Sequence, residues 1–129
     1  MLSVATICLA MNIYHESRGE PLIGQYAVAH VTMNRVESEK HPNDVCGVVF
    51  KKGAFHWTAD KRSVEIAAKK MKKQLELESW SMSVLIAKNV LAGRSKDITR
   101  GALFFNEKSM GRRFKTNVPT LKISSHIFY

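Results

Sequence analysis

Two glutamates four positions apart, Glu16 and Glu20, are the side chains in this sequence best placed to do acid–base chemistry. Gly19 lies between them and Pro21 follows. Glycine is costly inside a helix but suits the left-handed residue that ends one. Proline disfavours helical geometry at the preceding residue and fits the first position of a new helix. The spacing therefore predicts Glu16 in the last turn of one helix and Glu20 at the start of the next. A helix C-terminus opposes ionisation of Glu16, and a helix N-terminus favours the charged form of Glu20. A partly apolar pocket would push the Glu16 pKa up as well. A carboxyl group still protonated near neutral pH is what general acid catalysis needs. The competing reading makes both glutamates exposed helix-end charges.

The elements that must position these carboxylates can be read from the apolar spacing. Val4, Ile7, Cys8, Met11 and Tyr14 recur at helical intervals, and Leu9, Ala10 and Ile13 widen the stripe. A first helix over about 3–18, central to the fold, is expected. A second runs from about Pro21 to Glu37, its small apolar residues allowing close packing. His30 reads as a packed, hydrogen-bonded histidine, and Arg35 as a structural partner of a carboxylate. Asp44 caps a short helix carrying Val45, Val48, Val49 and Phe50. Lys51-Lys52-Gly53 is a turn. Residues 63–91 read as two helices breaking near Glu78-Ser79, with Lys69, Lys70, Lys72 and Lys73 on a solvated face, and Gly93 ends the second. Ala102–Asn106 and Leu121–Tyr129 each read as a strand. The result is a mainly helical α+β domain with a small hairpin or sheet.

The run Tyr14-His-Glu-Ser-Arg-Gly-Glu-Pro-Leu-Ile-Gly-Gln25, continuing to Asn34-Arg35, resembles the signature of the SleB-type cell-wall hydrolases. That family includes spore cortex-lytic enzymes and phage endolysins. The likeness continues at Pro42-Asn43, Val45–Phe50, Phe55-His-Trp-Thr58 and Gly101–Asn106, and ends at His126–Tyr129. It implies a lysozyme-like, lytic transglycosylase-like fold and cleavage of the MurNAc–GlcNAc bond of peptidoglycan, with Glu16 as the catalytic acid. Hydrolysis of that bond, as in a muramidase, is the alternative. By matching position, Glu20, Phe55, Trp57, Thr58, Asn106 and His126 are expected to line the substrate cleft, with Glu20 capping or orienting. Phe55 and Trp57 offer aromatic faces of the kind that cover sugars; the competing reading makes them core anchors. Family members commonly carry Gln at the position of Ala54 and Ser at that of His56, so no polar role transfers there.

Length and charge bound the rest. A chain of 129 residues with 45% hydrophobic content is one domain, 1–129, without room for a separate wall-binding module. The net charge of +9 predicts attraction to polyanions. Expected partners are peptidoglycan glycan strands and anionic cell-envelope polymers. A cationic wall-binding module without catalysis would account for the charge, but not for the glutamate motif. No nucleic-acid recognition motif is present. Met1–Ile13 is apolar but lacks a basic leader and is too short to span a bilayer, so a buried helix, not membrane insertion, is expected. A monomer needing no cofactor or metal is expected; His15-Glu16 begins a zinc-protease pattern that Gly19 breaks. Cys8 and Cys46 read as buried free thiols. Without an export signal, accumulation in the producing cell's cytoplasm with holin-type release to the wall is expected, and the cysteines should then be free.

Overall fold

The computed structural model describes residues 2–59, 65, 69, 78–114 and 116–129. The expected helix before Glu78, most of its lysine face and Asp60 fall outside them. Helix α1 spans Val4–Ser17, and the Ser3 hydroxyl caps it by accepting from the Thr6 amide. Helix α2 spans Leu22–Glu37, with Pro21 one position earlier than expected, at the N-cap. The short helix α3, Val45–Phe50, begins where the Asp44 carboxylate accepts from the Gly47 amide. Helix α4 covers Glu78–Leu91, and Gly93 follows at φ +73°. A 3-10 turn, His56–Ala59, follows α3.

Helix α1 is the hub. It packs against α2, α3 and α4, and Leu9, Ala10 and Ile13 are fully buried. Tyr14 meets the buried Trp80 of α4 edge-on at 5.8 Å. Its one fully buried polar side chain, Asn12, is satisfied on both sides: its amide donates to Thr32 and its carbonyl accepts from the Trp57 indole at 2.9 Å. A buried amide left unpaired would cost about 1–3 kcal/mol, so this pair fixes α1 against α2 and the 3-10 turn.

Helix α2 is apolar on two sides. Ala29 joins the α1 core, while Ala27, Val28 and Val31 pack on Ala102 and Phe128. That second layer is a three-stranded antiparallel sheet of order β1-β3-β2, with β1 at Phe105–Glu107, β2 at Leu121–Ile123 and β3 at His126–Phe128. The mainly helical fold with a small sheet is as the sequence predicts. Two strand readings are corrected. Leu121–Tyr129 is a hairpin and not one strand: Ser124 takes φ +47°, and Ile123 pairs with His126. Strand β1 starts only at Phe105: the Leu103 and Phe104 amides both donate to the one Tyr129 carbonyl, and the Asn34 and Arg35 side chains of α2 take the carbonyls of Ala102 and Leu103.

The cysteine reading is corrected too. Cys8 and Cys46 form a disulfide with Cα atoms 5.3 Å apart. Helix α3 lies across α1 and brings the two positions together, a tertiary fact that no local spacing carries. A disulfide belongs to oxidising surroundings.

Candidate active site

Glu16 lies in the last turn of α1, as its spacing predicts, and the chain then reverses sharply. The Arg18 amide bonds to Tyr14 O, the Glu20 amide bonds to Ser17 O, and Gly19 takes φ +87°. A side chain would be strained at that φ, so glycine permits the reversal. Glu16 is half-buried and faces a cavity of about 500 Å³. Phe55, Asn106 and His126 line the same cavity. Residues not singled out from the sequence line it as well, among them Phe104, Phe105, Glu107 and Phe114.

The Glu16 carboxyl is pushed up from 4.5 to about 7. Burial is the main cause; the Arg35 guanidinium opposes it, and the Glu107 carboxylate adds to it. Of the two causes that the sequence suggested, the helix-end field and burial, it is burial that leads. Arg35 is itself buried, donates to Leu103 O at 2.6 Å, and lies 5.0 Å from the Phe55 ring and 5.5 Å from that of Phe104. It holds the cavity wall through the backbone and two aromatic faces while placing positive charge near Glu16.

Glu20 is not a cap. No side chain caps α2, and the Glu20 carboxylate instead accepts from the Ser125 hydroxyl and sits 3.3 Å from His126 Nδ1. It ties the helix junction to the β2–β3 turn, an orienting role. Burial pushes the His126 pKa down, against the pull of Glu20 and Glu107. Asn106 is buried and its amide donates twice, to Glu107 O at 2.8 Å and Gly111 O at 2.7 Å. Its donors are thereby spent. Its buried Oδ1 accepts no hydrogen bond among the described residues.

Two expected cleft residues lie elsewhere. Trp57 is absent from the cavity lining; it stacks on His15 at 4.4 Å and bonds to Asn12. Thr58 donates its hydroxyl to Phe55 O at 2.8 Å, closing the turn. Both brace the loop that presents Phe55. His30 bonds to Ser95 at 2.7 Å and is the packed histidine expected. Among the described residues no cluster of His, Cys, Asp and Glu could hold a metal ion, and no helix is long and apolar enough to cross a membrane.

A helical hub ending in a shielded carboxylic acid, opposite a small aromatic-faced sheet, is an arrangement suited to acid catalysis on a polar polymer. The Cell Wall Hydrolase family model matches residues 19–129, and the chain belongs to that family. Glu16 lies just before the matched segment. The fold is similar to the crystal structure of the catalytic domain of the Bacillus cereus SleB protein, with a TM-score of 0.67 and 35% identity over 99% of this chain and 91% of that one. It is equally similar to the catalytic domain of the germination-specific lytic transglycosylase SleB from Bacillus anthracis, at TM-score 0.67 and 34% identity over 98% and 95% of the two chains. The lysozyme-like fold expected from the sequence is thus the one observed. The spore cortex-lytic enzyme of Bacillus cereus is 54% identical over 52 residues, and that of Bacillus subtilis is 50% identical over the same length. Those matches cover 40% of this chain but only 20% and 17% of the relatives, so the likeness spans about a fifth of their length. The expected holin-type release from a producing cytoplasm is overturned by these relatives, which are spore cortex-lytic enzymes and not phage endolysins.

Proposed function

We propose that this domain cleaves the MurNAc–GlcNAc bond of peptidoglycan as a lytic transglycosylase, with Glu16 as its single acid and base. The observation that carries the reading is a carboxyl held protonated up to about pH 7, on the wall of a cavity faced by aromatic rings. Glu16 gives its proton to the glycosidic oxygen as the C1–O bond breaks, and GlcNAc leaves with a free hydroxyl. The resulting carboxylate takes the proton of the muramic C6 hydroxyl. That oxygen closes on C1 to give a 1,6-anhydro end, no water is consumed, and Glu16 is protonated again. Phe104 and Phe105, both half-buried on the lining, supply apolar faces for the sugar rings. Glu20 holds His126 in place.

One observation favours a second reading. Glu107 is a second carboxylate on the same cavity, and an inverting hydrolase uses such a partner to activate water. Digestion of purified sacculi in ¹⁸O-water separates the two. Anhydromuramic ends without solvent oxygen are expected; reducing muramic ends carrying one ¹⁸O per cut would establish the hydrolase. Absence of any soluble glycan fragment would sink both.

A further inference from the structure

The cavity has a charge pattern that sugar recognition does not require. Lys51 and Lys52, on the turn after α3, line it from one segment, and Arg113, beyond β1, lines it from another. All three are exposed, and Arg35 adds a fourth cation deeper in. The acidic groups on the same lining are Glu107 and Glu16, and Glu16 is held largely neutral below pH 7. The mouth is therefore net positive even with Glu107 ionised. Gly53 follows the lysine pair at φ +79° and turns the chain back towards Phe55, which keeps the two ammonium groups beside the aromatic wall.

We infer that Lys51, Lys52 and Arg113 form a carboxylate-selecting rim, so that the cleft prefers glycan strands carrying free carboxylates over strands whose muramic residues are uncharged. This deepens the proposed function and rests on it. The shared chemistry is a carboxylate projecting from the muramic side of the strand. It has two sources: the lactyl group of the sugar where no stem is attached, and the carboxylates of the peptide stem where one is joined to that group through an amide bond. Exposed ion pairs are individually weak, so selectivity comes from three cations acting at one mouth. A preference of roughly tenfold is expected from three such pairs.

The test measures binding apart from turnover. Full-length Glu16→Gln protein is cosedimented with native sacculi, with sacculi whose carboxylates are capped as ethanolamine amides, and with amidase-stripped strands that keep only the lactyl carboxylate. Native sacculi should bind roughly tenfold tighter than capped ones. Lys51→Gln/Lys52→Gln/Arg113→Gln should lose most of that ratio. Lys88→Gln/Arg94→Gln/Lys96→Gln, which removes the same charge from exposed positions off the cavity lining, should keep it. Stripped strands that bind like native sacculi show that a freed lactyl carboxylate serves the rim as well as a stem carboxylate; stripped strands that bind like capped ones restrict the rim to stem carboxylates. Equal binding of native and capped sacculi, or equal losses in the two triple variants, overturns the rim. Failure of the wild type to cut any sacculus would count against the proposed function alone, because the binding ratio is read without cleavage.

Discussion

Replacing Glu16 with Gln should disable the protein and at the same time make it more stable in alkaline solution. The magnitude follows from the site. Burial raises the carboxyl from 4.5 to about 7, a displacement equivalent to about 3 kcal/mol between the two protonation states. The folded state therefore holds this proton more tightly than the unfolded chain. Stability from this group is intact below pH 4.5, falls as pH rises towards 7, and stays reduced above it. Glutamine cannot ionise and escapes that penalty. At pH 9 the variant should unfold higher than wild type, by about 10 °C for a chain of this length; at pH 4 the two should melt together. Lysis of sacculi should fall by about 10²–10⁴-fold, the usual contribution of a general acid–base. Thermal unfolding at the two pH values and a turbidity assay give both readings. A variant that melts with wild type at pH 9, or below it, would show that the folded protein does not hold this carboxyl neutral. Wild-type lysis by the variant would falsify the catalytic assignment.

Three further outcomes are expected. Wild-type activity should decline above about pH 7 as Glu16 loses its proton; Glu107→Gln should move that decline to lower pH and Arg35→Gln to higher pH, since the two charges act on Glu16 in opposite directions, and shifts in one common direction would refute the electrostatic assignment. Reducing the Cys8–Cys46 disulfide, which spans 38 positions, should lower stability by about 4 kcal/mol on the chain-entropy account, measured as the loss of unfolding free energy in urea with dithiothreitol. Trp57→Phe strands the buried Asn12 carbonyl and should cost about 1–3 kcal/mol of stability; a raised KM with unchanged unfolding would return Trp57 to the binding surface.

What the sequence made legible divides along the range of the interactions concerned. The Glu16–Gly19–Pro21 junction is written locally, because backbone preferences of adjacent residues decide where one helix ends and the next begins; the structure puts Glu16 in the last turn of α1. The Asp44 cap and the buried stripe of α1 are local in the same sense. The disulfide, the Arg35 bond to Leu103 O and the Glu20–Ser125 contact join positions 38, 68 and 105 apart, and no periodicity reports on such pairs. Glu107 illustrates the limit most clearly. It directly follows a motif that was read, yet its relevance arises only when β1 folds over the end of α1 and places a second carboxylate on the wall facing Glu16. Trp57 errs the other way: an aromatic beside polar residues suits a sugar wall or a core anchor equally well in sequence. Its indole N–H is claimed by Asn12, fully buried on α1, and that bond draws the ring inward. A residue's type states what chemistry it can do; the long-range contact decides whether that chemistry is spent on the fold or left for a substrate.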